Sequence, residues 1–165
     1  MDELTIRNVT EQDLNDCHAV ESAGYNTEGA TRKKIQARIK LFPEGFIVAD
    51  LRGCIIGIVN SGSTNSNDLT KEEFKEMIGH DNNGKNMVIF SLAVLPQFRG
   101  QGVSRKLMEK FVEVSKKLKK EKILLICKPE LIPYYQKFGF IYAGKSRSKH
   151  GGFTWHEMYV RLRTE

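Results

Sequence analysis

The sequence predicts an α/β chain, one domain over residues 1–165, with helices flanking a mixed, mostly antiparallel sheet. Three stretches carry that prediction. GFIVADLRGCIIGIVNSG (residues 45–62) reads as a β-hairpin, with two β-rich runs either side of Arg52-Gly53. NMVIFSLAV (86–94) is apolar nearly throughout, as a strand covered on both faces must be. SRKLMEKFVEVSKKLKK (104–120) turns Leu107, Met108, Phe111, Val112, Val114 and Leu118 inward at helical spacing.

The other elements follow in chain order. TIRNVT (5–10) alternates as a short strand. Thr10 and Asp13 form a capping-box start for a first helix that runs to about Glu21, and SAGYNTEGA (22–30) is the loop after it. Thr31 caps a second helix, TRKKIQARIKLF, with Ile35, Ile39 and Leu41 or Phe42 on its apolar face. Pro43-Glu44-Gly45 stops it. Residues 61–86 are a long polar connection, and Thr70 with Glu73 predicts a short capped helix, TKEEFKEMI, inside it. Connections of that length line sites more often than they fill cores. ILLICK (123–128) is a buried strand, and LIPYYQKF (131–138) a short helix with Pro133 in its first turn. GFIYAG and FTWHEMYVRL close the chain as two strands. The order is β-α-α-β-β-β-α-β-α-β-β.

Composition narrows the function classes. With 165 residues, 40% hydrophobic and 28% charged, the chain can bury a real core. No run of about 18 apolar residues exists, so no membrane helix is expected. The start, MDELTIRNVTEQDL, lacks the basic and apolar regions of a signal peptide. Cys17, Cys54 and Cys127 are few, odd in number and far apart. They fit a reducing cytoplasm and neither a disulfide framework nor a metal site. The net charge of +6 suits a polyanionic small cofactor. A nucleic-acid surface would want aromatics interleaved with Lys and Arg, whereas the aromatics here fall mostly at apolar-face positions.

Between the strand NMVIFSLAV and the long helix stands QFRGQG (97–102). A strand, a Gly-x-Gly turn and a helix N-terminus make an anion site. Glycine lets the backbone approach a phosphate, unpaired N–H groups point at it, and the helix dipole favours negative charge. Arg99, Arg105 and Lys106 add cationic reach. No GK[ST] follows, so this is no Walker loop. The spacing is not GxGxxG, and no acidic residue ends ILLICK, which argues against a dinucleotide fold.

LAVLPQFRGQGVSRKLM resembles the acetyl-CoA-binding motif [QR]xxGx[GA] of the GCN5-related N-acetyltransferase (GNAT) superfamily, with Gln97, Gly100 and Gly102 at the matching positions. KPELIPYYQKFGF (128–140) resembles the same superfamily's Y-x-x-x-G-F segment. The likeness covers residues 2–162 and is nearest to the arylalkylamine (serotonin) N-acetyltransferase branch, through LIPYYQKFGF, FTWHEM and Leu41-Phe42-Pro43-Glu44.

The resemblance implies a fold, a cosubstrate and roles. Backbone groups of Leu92, Ala93 and Val94 would hold the pantetheine arm of acetyl-CoA, and the Leu92 amide would polarise the thioester. The stretch Arg99, Gly100, Gln101, Gly102, Val103, Ser104 and Arg105 would hold the pyrophosphate. Tyr135 would protonate the leaving thiolate, a task a phenol can perform as charge builds on sulfur. Trp155 and Gly29 would line the pocket of a small-molecule amine. The reaction implied is direct acetyl transfer to a primary amine, without metal. The sequence is compatible with a homodimer.

One departure stands out. The serotonin branch carries two histidines on the central strand as a proton path, and the matching positions here are Val88 and Phe90. That keeps a second reading in play, an acetyl-CoA-binding regulatory module without turnover. Glu21 and Glu28 are candidates for base or amine anchor, although such residues are usually solvated. His18 and His80 read as surface residues, and His150 and His156 lie near the last hairpin. Tyr134 reads as packing or facing solvent, Cys127 as an inert buried thiol, and KKLKKEK as a solvated helix end.

Overall fold

A computed structural model describes residues 3–25 and 29–162. The elements are β1 (Leu4–Asn8), α1 (Leu14–Tyr25), α2 (Arg32–Leu41), β2 (Ile47–Leu51), β3 (Cys54–Thr64), β4 (Asn86–Val94), α3 (Val103–Lys117), β5 (Lys122–Cys127), α4 (Ile132–Gln136), β6 (Ile141–Lys145) and β7 (His156–Arg161). Order and type agree with the sequence reading throughout. The seven strands form one sheet, β1-β2-β3-β4-β5-β7-β6. Only β4 and β5 pair in parallel, and the chain crosses between them through α3.

Local chemistry explains most boundaries. The Thr10 N–H donates to Asp13 Oδ2 at 2.8 Å, and Asp13 is tied in turn to Arg7 at 2.9 Å. The hairpin turn has φ of 52° at Arg52 and 92° at Gly53, the pair of positive angles that suits the strand twist. One core layer lies under α3, where Leu107, Met108 and Phe111 meet Ile47, Ile56, Met87 and Ile123. A second lies under α1 and α2, where Cys17, Val20, Ile35 and Ile39 cover Phe46, Val48 and Ile58.

Four details differ from the sequence reading. Helix α1 continues to Tyr25, one turn beyond Glu21. The helix expected from Thr70 shrinks to a 3₁₀ segment, Glu72–Glu76, because the Thr70 hydroxyl bonds Asp68 at 2.6 Å instead of capping. Lys120 is no solvated helix end. Its ammonium is buried and donates to Ser63 Oγ (2.9 Å), Asn82 O (2.7 Å) and Gly84 O (2.6 Å), closing the long connection onto β3. His80 is half-buried against Phe42, and its Nδ1 accepts from the Ser63 N–H at 2.9 Å, an arrangement that needs the neutral ring.

Two predictions follow from these clips. Lys120→Met leaves three acceptors without their donor and is expected to cost about 2 kcal/mol in urea unfolding. Burial holds His80 below its ordinary 6.5, with Asn82 opposing. The native state therefore binds fewer protons there than the unfolded chain. That contribution to stability is complete above 6.5 and lost as pH falls through the lower folded value. Thermal melts from pH 7.5 to 4.5 should show a steeper acid loss in the wild type than in His80→Gln; parallel curves would contradict it.

Candidate active site

Strands β4 and β5 pair only at Asn86–Lys122, Met87–Ile123 and Val88–Leu124. Beyond Val88 they part. The cause lies on the other edge of β4. Asn60 pairs with Ser91 but Ser61 with Ile89, so Phe90 is an extra residue and the strand bends. Gly62 makes room for this, since a Cβ there would meet both Phe90 and Phe74 at 2.8 Å. The wedge between β4 and β5 holds two cavities.

The first cavity, about 440 Å³, is bounded by Leu92, Ala93, Val94, Phe98, Gly100, Gly102, Val103, Ser104 and Tyr134. Gly100 and Gly102 have φ of 78° and 82°, and a Cβ on either would meet nothing within 4 Å, so the turn is an open cradle. The first helical bond of α3 in this region is Lys106 N–H to Gly102 O at 3.2 Å. Among the described residues the N–H groups of residues 102–105 have no backbone acceptor, the state an incoming phosphate would satisfy. Side chains contribute less. Arg99 Nε donates to Val94 O (3.2 Å), Gln101 bonds back to Gln97 O (3.4 Å), and Arg105 lies over the Phe138 ring. Tyr134 faces this cavity rather than merely packing. Burial raises its phenol, and a hydrogen bond with Ser104 opposes the shift.

The second cavity, about 300 Å³, opens on the far side of the wedge, between α1, α2 and the 3₁₀ segment. Gly29 and Trp155 line it, and so do Val88 and Phe90, where no proton acceptor stands. Trp155 precedes β7 instead of lying on it, its indole N–H donating to His150 O at 2.8 Å. His156 is elsewhere, with its Nδ1 2.9 Å from the Tyr142 hydroxyl.

Three residues border both cavities: Tyr25, Leu131 and Tyr135. Tyr135 is 7% exposed, packed edge-on against Tyr134 and Phe140. Burial raises its pKa well above the ordinary phenol value, so it stays protonated. Tyr25 was missed in the sequence, where it was assigned to a loop. Its hydroxyl donates to Leu92 O (2.9 Å) and accepts from Leu92 N–H (3.0 Å). This revises the role expected of the β4 backbone. The Leu92 groups face the wedge but are already paired, since a strand edge in a buried cleft needs partners. The alternation of the ladder then turns the Ala93 groups toward β3 and leaves Leu92 and Val94 on the wedge side.

Glu21 is not solvated either. It is 3% exposed, Oε2 accepts from Ala30 N–H at 2.8 Å, and Oε1 has no hydrogen-bond partner among the described residues. Gly29 fits because a Cβ there would already press on the Glu21 stem at 3.3 Å. Glu28 lies outside the described residues. Beside Glu21 stands Arg38, 3% exposed, whose donors go to Asn60 Oδ1 (3.0 Å) and Lys75 O (3.2 Å) and whose face covers Phe90 at 4.5 Å. Burial pulls its pKa down to about 10, opposed by the charge of Glu21, so it remains a cation at neutral pH. Both residues had signals: Glu21 and Tyr25 are four apart on one helix face, and Arg38 interrupts the apolar stripe of α2.

The Acetyltransferase (GNAT) family pattern matches residues 10–140. A chloroplastic GCN5-related N-acetyltransferase 2 of Arabidopsis thaliana is 27% identical over 111 residues, 65% of this chain and 42% of its own. An uncharacterized N-acetyltransferase of Methanocaldococcus jannaschii is 29% identical over 147 residues, 82% of this chain and 60% of its own. The chain thus spans about half the length of these curated relatives. Among solved structures, the loading GNATL domain of CurA from Lyngbya majuscula superposes with a TM-score of 0.85 at 16% identity, covering 96% of this chain and 98% of that one. The acetyltransferase yncA of Salmonella typhimurium, solved with acetyl-CoA, has a TM-score of 0.69 at 15% identity, covering 99% and 96%. These structural likenesses are of fold. With the match over residues 10–140, the chain belongs to the GNAT acetyltransferase family.

Proposed function

We propose that this chain is an acetyl-CoA-dependent N-acetyltransferase that moves an acetyl group directly to a primary amine. The observation that carries the reading is the meeting of two cavities at Tyr135, one bounded by the Gly100–Ser104 turn and the other by a buried carboxylate. The unpaired N–H groups of residues 102–105 would hold the pyrophosphate, and the Val94 edge of β4 the pantetheine arm. Acetyl-CoA supplies the acyl group as a reactive thioester.

The protein's own groups do the rest. Tyr135, kept neutral by burial, donates its proton at the departing sulfur. Glu21 Oε1 anchors the acceptor ammonium and takes its proton, the service that Val88 and Phe90 cannot give. The Leu92 N–H becomes a donor to the thioester oxygen when the Tyr25 hydroxyl withdraws. Phe74, Phe90 and Trp155 in the acceptor wall favour an apolar or aromatic body on the amine, in keeping with the arylalkylamine likeness.

Thiol release from acetyl-CoA over a panel of amines, with cofactor affinity measured by calorimetry, tests this reading. Tyr135→Phe should lower kcat about 10²-fold while acetyl-CoA affinity changes less than about threefold; unchanged kcat would remove Tyr135 from the chemistry. Glu21→Gln retains an acceptor for the Ala30 N–H but cannot take a proton. Since free amines titrate near 10, its rate should climb about tenfold per pH unit between 7 and 9, more steeply than in the wild type. Equal slopes would dismiss Glu21 as the base. Tight acetyl-CoA binding with no turnover on any amine would favour the regulatory module.

A further inference from the structure

We infer that the acceptor is an amine that also carries an anionic group, a carboxylate or phosphate, so that the pocket takes a zwitterion of the amino-acid kind. The inference rests on the transfer reading above and specifies its substrate class.

The charges around the second cavity are unequal. Its walls include four cations, Lys34, Arg38, Lys71 and Lys75, and two carboxylates, Glu21 and Asp68. Asp68 is exposed and turned to Thr70, accepting from its N–H at 2.9 Å and its hydroxyl at 2.6 Å. Only Lys75 has an acidic partner among the described residues, Glu72, at 3.5 Å. Lys34 has no ion pair among the described residues, Lys71 acts on the exposed Asp68 from beyond pairing distance, and Arg38 is buried against an amide, a carbonyl and an aromatic ring with the Glu21 charge nearby.

Burial holds the charged forms of Arg38 and Lys75 in an unfavourable state. The Lys75 ammonium is pushed below its ordinary range by burial, with Glu72 opposing and the charges of Arg38 and Lys34 adding to the shift. Lys75 therefore senses both Arg38 and Lys34 across the cavity. A concentration of like charge in a partly desolvated cavity is costly unless something negative enters it. Glu21 offsets part of it, its charge acting on Arg38, but one carboxylate faces three cations and its Oε1 has no donor among the described residues.

The two deficits complement each other. A lone carboxylate oxygen wants a cationic donor, which an ammonium is. The Lys34–Arg38–Lys75 wall wants an acceptor, which a carboxylate or phosphate is. A neutral-tailed amine satisfies only the first. An amino acid, or an amine bearing a phosphate, satisfies both, and the Phe90 and Trp155 surfaces accommodate the segment between its two ends. Discrimination of this kind comes from leaving a buried charge unpaired when the wrong acceptor binds.

Matched acceptors test the idea: propylamine against β-alanine, phenethylamine against phenylalanine, and ethanolamine against phosphoethanolamine, with rates referred to the neutral-amine fraction. The anionic member of at least one pair should have a kcat/KM higher by about tenfold or more, carried mainly by KM, and the advantage should shrink in high salt. Lys34→Gln should narrow that ratio to below about threefold, and Lys34→Glu should invert it. Acetyl-CoA affinity, read by calorimetry, serves as the check that both variants are folded. Turnover in which the neutral member wins every pair would overturn the inference and leave the transfer reading standing. Silence on every amine with acetyl-CoA bound would overturn the transfer reading and this inference with it.

Discussion

The parting of β4 from β5 after Val88 is the constraint on which the site depends. A strand in the middle of a sheet normally spends both edges on neighbours. Here one edge is released for the length of Ile89–Val94, and every group on it needs another partner. The bulge at Phe90 supplies the bend, and Asn60 secures it by donating to Ser91 Oγ at 2.8 Å while accepting from Arg38 at 3.0 Å. The arginine that lines the second cavity is therefore also a brace for the wedge. Removing Asn60 would disturb both.

The helices meet at this opening because small residues let them. Gly24 brings α1 so close to β4 that an added Cβ would stand 3.0 Å from Ala93. That approach carries Glu21 and Tyr25 into the wedge from one side. On the other side the Gly100–Gly102 turn lets α3 begin where its unpaired N–H groups face the same opening. Tyr135 arrives from the short helix after β5, and burial keeps it protonated. The glycine-turn cavity, Tyr135, Glu21 and the cationic wall thus come from five segments far apart in sequence.

The long connection between β3 and β4 is less a loop than a folded cover. Lys120 and His80 pin it at one end, and the 3₁₀ segment Glu72–Glu76 brings Phe74 and Lys75 over the second cavity. Its length and polar composition point to a segment that lines a site. Its contacts make it the outer wall of the site.

By itself the sequence determined the element order, the hairpin, the glycine turn before α3 and the Tyr135 segment. Each of these is written in a local pattern: period-two or helical spacing, positive-φ residues at a turn, or a short motif. It also identified Val88 and Phe90 as positions without a base. Only the tertiary structure decided that Glu21 is buried with a free oxygen, that Tyr25 pairs with Leu92, and that Lys34, Arg38 and Lys75 share one wall. A charged residue on a helix reads the same in sequence whether water or a cavity lies beyond it. Its role is settled by what packs against it from elsewhere in the chain, and for Glu21 and Arg38 that is a bent strand and a cover some 40 to 70 residues away.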